Sequence, residues 1–180
     1  MGGKILLVRH GETAANRTER FAASDEIPLT DVGRRQALQV ARRLEAEFRP
    51  RHLLSSTFAR ARETSEIIAG VLAMEIEILQ GIHERDFGCL KGHPYARMLD
   101  MMADDPAYDS HRPWTWSPPG GESLEDVRRR VVAALEGVRG RSGDVVVVCH
   151  GAVMQALAAH LNGSWNGVSI PGNCGILVIE

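Results

Sequence analysis

Apolar residues along this chain follow two periods. Behind Lys4, residues 5–8 are a continuous Ile-Leu-Leu-Val run bounded by Gly3 and Gly11, the pattern of a strand buried on both faces, here taken as 4–8. Thr30 caps a predicted helix whose apolar positions Ala37, Val40, Ala41, Leu44 and Phe48 recur at helical spacing, and Pro50 stops it. Residues 52–55 read as a short strand, 57–71 as a second helix, and 75–79 as a further short strand that is also acidic. Ser123 and Asp126 match a capping box, after which Val127, Val131, Leu135 and Val138 mark a buried stripe. Residues 144–149 hold four consecutive valines, the plainest strand in the sequence. A helix over 151–161 and a last strand over 175–179 complete the order.

Between Gly81 and Gly121 both periods dissolve. Five of the eight prolines and two of the three tryptophans fall there, so the stretch predicts a long, partly helical excursion over one end of the sheet, with 85–120 as the variable, substrate-covering part. Strands alternating with helices argue an α/β fold, a three-layer α/β/α sandwich around a largely parallel sheet, with 1–180 as one domain. Repeats and linkers are absent from the sequence.

Composition changes this picture little. The formal net charge is -2, from 21 basic and 23 acidic side chains. No global field draws the chain to nucleic acid or to an anionic membrane, and any anion it binds must be caught by a local pocket. Cys89, Cys149 and Cys174 form neither a disulfide framework nor a thiolate metal site. The opening MGGKILLVRH is too short an apolar run for a signal peptide or a membrane span. The expectation is a cytoplasmic protein.

Chemistry concentrates at two strand ends. The first strand runs into Arg9-His10-Gly11 and the valine strand into His150-Gly151. Ligands of open α/β sheets bind beyond the carboxyl ends of strands, so both histidines belong at the functional edge, each with a glycine that lets backbone come close. After His10 the chain reads as the first turn of a helix, whose free N–H groups favour an anion. The other histidines, His52, His83, His93, His111 and His160, read as structural or surface residues. Arg9 sits where the strand end should be apolar, and burying it is costly unless it meets an anion. Arg60 lies in the opening turn of the second helix, where a cation opposes the helix dipole, behind the hydroxyl-rich turn Ser55-Ser56-Thr57. Two arginines on one anion suit phosphate.

Six motifs in order, LVRHGETAAN (7–16), IPLTDVGRRQA (27–37), SSTFARARET (55–64), HERDFGCLKG (83–92), PGGES (119–123) and VVVVCHGAVMQAL (145–157), resemble the histidine phosphatase superfamily, the phosphoglycerate-mutase-like group. The resemblance spans nearly the whole chain and implies the same three-layer sandwich. It implies His10 as the nucleophile that becomes phosphohistidine, with Arg9, Arg60, His150 and Asn16 as the phosphate pocket. Glu84 is implied as the acid that protonates the leaving oxygen; the residues alone leave it in a polar turn. The implied activity is metal-independent hydrolysis of a small-molecule phosphomonoester, with no cofactor and no metal.

The chemistry is coherent with those residues. Unaided phosphomonoester hydrolysis is extremely slow, so charge must be neutralised and the leaving alkoxide protonated. Histidine attacks phosphorus as neutral imidazole, which neighbouring guanidiniums favour. A phosphomutase, which returns the phosphoryl group to substrate, and a non-catalytic phospho-ligand binding module stay open. A mutase resembling this family carries extra basic segments, whereas the segment after Glu84 contributes only Arg85, Lys91, Arg97 and Arg112. A metal hydrolase is disfavoured because no HxH or HExxH spacing occurs. Phe21, Tyr95, Tyr108, Trp114 and Trp116 stand either as ring-stacking or lid residues or as core. Lys91, where many relatives are acidic, points either to a more negative substrate or to a solvated surface. The 175–179 strand, if at an edge, offers a route to a homodimer.

Overall fold

Four valines in a row exclude a sheet with one wet face, and the structure shows where both faces go. The computed structural model describes residues 3–179. Strands β1 (Ile5–Arg9), β2 (Pro50–Ser55), β3 (Ile76–Ile78), β4 (Asp144–Cys149) and β5 (Ile176–Ile179) form one sheet in the order β3-β2-β4-β1-β5. All neighbours are parallel except β5, which runs antiparallel along β1 at the sheet edge.

Alternation along the central strands divides the core in two. Ile5, Leu7, Leu54, Val145, Val147 and Cys149 face the helices α5 (Leu124–Glu136) and α6 (Gly151–Asn162). Leu6, Val8, Leu53, Val146 and Val148 face α2 (Asp31–Glu47) and α3 (Ala59–Leu72). This is the three-layer sandwich expected from the strand–helix alternation. The expected helices appear within a few residues: Thr30 caps α2 by accepting from the Gly33 N–H at 3.0 Å, and the Ser123–Asp126 capping box opens α5. Pro50 does more than stop a helix; it opens β2, where its missing N–H meets a register shift.

The excursion carries two 3-10 turns, Gly88–Leu90 and Pro113–Thr115, around the helix α4 (Ala96–Asp104). It has a small core of its own, in which Phe21, Leu90 and Trp116 are buried against Phe87, Met98, Met101, Met102 and Tyr108. Among the described residues no helix is long and apolar enough to cross a membrane.

Candidate active site

Three adjacent strand ends build the site. Arg9 pairs with Cys149 in the parallel β1–β4 register, and the His10 N–H donates to the Cys149 carbonyl at 3.0 Å. His10 and His150 therefore leave the sheet side by side, with ring centroids 5.2 Å apart. β2 ends beside β4, where the Ser56 N–H donates to the Val148 carbonyl at 3.0 Å and the Ser56 hydroxyl lies 2.8 Å from His150 Nε2. Both histidines are buried.

The bonding of His10 fixes its tautomer. Nδ1 lies 2.8 Å from the Gly11 carbonyl oxygen, which can only accept, so Nδ1 carries the hydrogen and Nε2 keeps its lone pair. Nε2 accepts from the Arg60 Nε–H at a long 3.3 Å. Burial first, then the charges of Arg60 and Arg9, push the affinity of His10 for a second proton down to about 3, against the opposing Gly11 carbonyl. Burial, Arg60 and His10 hold His150 well below its usual range in the same way. Burial also works against the Arg60 charge, which the carboxylates of Glu84 and Asp25 support.

Among the described residues, three buried side-chain nitrogen atoms have no hydrogen-bond partner: Arg9 Nε, Arg60 Nη1 and His150 Nδ1. All three belong to side chains around the His10 ring, and all are donors or can be. A buried donor left unpaired costs about 1–3 kcal/mol, and three around one ring suit an acceptor-rich anion. Asn16 stands at the rim: its carbonyl accepts from Thr13 and from Asn173, which leaves its amide pointing toward Tyr95 at 3.5 Å. Glu84 approaches from the excursion, its Oε1 accepting from the N–H groups of Arg85 at 2.9 Å and Ala152 at 3.2 Å. One ligand atom from each of His10, Glu84 and His150 lies within 4.8 Å of the others, close enough to gather a divalent cation. Arg9 and Arg60 place positive charge on that same spot, which suits an anion instead. Arg9, His10, Asn16, Arg60 and Glu84 line a cavity of about 430 Å³, and His150 is fully buried beside His10.

The sequence profile of the histidine phosphatase superfamily (branch 1) matches residues 5–180. The chain belongs to this superfamily. It is 35% identical over 159 residues to phosphoglycerate mutase-like protein 4 of Arabidopsis thaliana, covering 86% of this chain and 69% of that one. It is 34% identical over 158 residues to the metal-independent phosphoserine phosphatase of the same plant, covering 86% and 66%. The chain thus spans about two thirds of the length of these relatives. Among solved structures it is similar to a mycobacterial glucosyl-3-phosphoglycerate phosphatase complexed with VO3, at 27% identity and a TM-score of 0.82 over 99% of this chain and 91% of that one.

Several positions in this histidine phosphatase differ from the sequence reading. The chain after His10 does not enter a helix at once: α1 (Ala14–Arg17) starts four residues on, because Thr13 caps it and takes the Asn16 N–H. The Asn16 N–H of the short α1 is thereby engaged by the cap. Gly11 is required for close approach, since a Cβ there would lie 2.6 Å from the Gly33 carbonyl of α2; at Gly151 a Cβ would meet ordinary contacts of 3.5 Å or more. Lys91 pairs with Asp86 at 2.9 Å, both half-exposed, as a solvated surface residue does. Phe21, Tyr95 and Trp114 line the cavity, whereas Trp116 and Tyr108 pack in the excursion core.

Sequence reasoning missed the residues that hold the catalytic candidates. Asn173 Nδ2 donates to the His10 carbonyl at 2.9 Å. Arg130 of α5 donates to the carbonyls of Gly81 and His83, both at 2.8 Å, and of Glu84 at 3.2 Å, while gripping both carboxylate oxygens of Glu122. Glu122 in turn accepts from the Asp86 N–H at 2.9 Å. The segment bearing Glu84 is thereby fastened to α5. His83, read as a bland histidine, packs beside Phe58, whose ring also faces His150.

Proposed function

We propose that this chain hydrolyses a small phosphomonoester through a phosphohistidine on His10, without a metal ion. The observation that carries the reading is the convergence of unpartnered Arg9 Nε, Arg60 Nη1 and His150 Nδ1 beside the lone pair of His10 Nε2. Those donors take the non-bridging oxygens of the phosphoryl group and stabilise the charge that spreads over them in transfer. The Nε2 lone pair forms the N–P bond as the P–O ester bond breaks, and the departing pair stays on the ester oxygen. Glu84 supplies the proton that makes it an alcohol; with Oε1 already accepting two N–H bonds, Oε2 carries that proton. In the second half water attacks phosphorus, Glu84 Oε2 takes the water proton, and the N–P electrons return to Nε2. Neutral His10 is the form this requires, and burial and the arginines favour it.

The two relatives named as phosphatases support hydrolysis over exchange. The test is phosphate release from labelled phosphomonoesters in a chelator, with acid-sensitive, base-stable label trapped on the protein during turnover. His10→Ala is expected to lose about a thousandfold or more in kcat and all trapped label. Turnover surviving in that variant, or isomer exchange of 3-phosphoglycerate with no free phosphate, would overturn the reading.

A further inference from the structure

The cavity has two chemically distinct halves. Its inner end is the arginine–histidine cluster. Its outer end is walled by Phe21, Tyr95, Met98, Met102, Trp114 and Trp165. Trp165 comes from the loop after α6 and Trp114 from the second 3-10 turn, yet their rings lie 10° from parallel with centroids 5.8 Å apart. That is an offset stack of two half-buried indoles, in which each ring covers part of the other and the offset leaves the remainder of each on the cavity wall.

Of the two arginines out there, one is held by backbone and the other only in part. Arg85 donates Nε to the Glu122 carbonyl at 2.7 Å and Nη2 to the Trp116 carbonyl at 3.1 Å, and its guanidinium stands over the Phe87 ring. Arg20 donates Nη1 to the Gly92 carbonyl at 2.9 Å. With Nε and Nη2 on backbone oxygens, Arg85 presents no full fork for a substrate carboxylate. Arg20, whose Nε–Nη2 edge is unbonded among the described residues, is exposed, where an ion pair is worth little. An apolar ring, in contrast, would cover aromatic and thioether surface that is otherwise left to water.

We infer that the substrate's alcohol is uncharged and carries a flat apolar ring that lies on the Trp114–Trp165 wall while the phosphoryl group sits on His10. This rests on the phosphomonoesterase reading and names its substrate class: arylalkyl-type phosphates in preference to phosphorylated hydroxy or amino acids.

The experiment compares 3-phenylpropyl phosphate with propyl phosphate, whose leaving alcohols are equally unactivated, and both with phosphoserine and 3-phosphoglycerate. The ring is expected to raise kcat/KM by about tenfold or more, mainly through KM, with both acids below the phenyl ester. Trp165→Ala, and separately Trp114→Leu, should shrink that ratio severalfold. Equal kcat/KM for the two alkyl esters, a preference for either acid, or a ratio kept in both variants overturns the inference while leaving hydrolysis intact. If no ester releases phosphate the hydrolase reading fails instead, and the same pair is titrated calorimetrically onto His10→Ala. Tighter binding of the phenyl ester there supports the wall as a ring site, and equal or absent binding overturns it.

Discussion

At the scale of single residues, the imidazole of His10 explains most of what the site can do. Burial and two guanidiniums hold its proton affinity at about 3, far below the value of about 6.5 in an unfolded chain. Between those two values the unfolded state takes up a proton that the folded state refuses. Stability is therefore lost as pH falls below about 6.5, by up to about 1.4 kcal/mol per pH unit for each such histidine, and His150 adds to the effect in the same direction. Urea unfolding at pH 5, 6 and 7 should show this slope, with His10→Asn reducing it by about one proton; an unchanged slope in that variant contradicts the assignment. Glu84 makes a second prediction. As the donor to the leaving oxygen, Glu84→Gln should cost about 10²–10⁴ in kcat/KM with alkyl phosphates and far less with a nitrophenyl ester, whose leaving oxygen needs no proton. Equal losses on both would remove Glu84 from that role. Arg9, His10 and His150 were legible because charge or imidazole at the end of an apolar run is anomalous in itself, and Arg60 because a cation in the opening turn of a helix opposes its dipole. Asn173 and Arg130 were not, since they act on backbone carbonyls far away in sequence and leave no spacing to read.

At the scale of elements, the site depends on how α5 holds the start of the excursion. Arg130 satisfies three carbonyls of 81–84 and both oxygens of Glu122, and both partners of this pair are largely buried. Arg130→Met would leave Glu122 unpaired and those carbonyls short of a donor, a loss of about 2–4 kcal/mol. Because Arg130 works by positioning Glu84, its loss should lower kcat/KM for alkyl phosphates more than for a nitrophenyl ester, repeating the leaving-group signature of Glu84→Gln. A variant that is destabilised but loses both activities equally would reduce Arg130 to a structural residue. The elements themselves were legible where periodicity and caps agree, as at Thr30 and Ser123. They were less so at Thr13, whose capping box with Asn16 serves a single turn too short to show a period.

At the scale of the molecule, the sheet's two cores and the excursion's core differ in extent. The layering was legible because β1 and β4 are apolar without a break over 5–8 and 145–148, which only a sheet covered on both sides allows. The aromatic wall was not, because Trp165 meets Trp114 only once the loop after α6 folds back over the excursion. The proposed ligands of the anion, Arg9, His10, Arg60 and His150, all sit on the sandwich, while residues 88–116 cluster around the smaller third core. Local opening of that segment should therefore cost less than global unfolding, with amides of β1 and β4 exchanging only through the latter. Inorganic phosphate at about 100 times its dissociation constant should raise the free energy of global unfolding by about 2.7 kcal/mol. It should leave the opening of 88–116 nearly unchanged, because the anion's four ligands remain in place when the excursion lifts. Hydrogen exchange with and without phosphate measures both quantities in one experiment, and exchange of 88–116 in step with β1 and β4 would show instead that sandwich and excursion unfold as one.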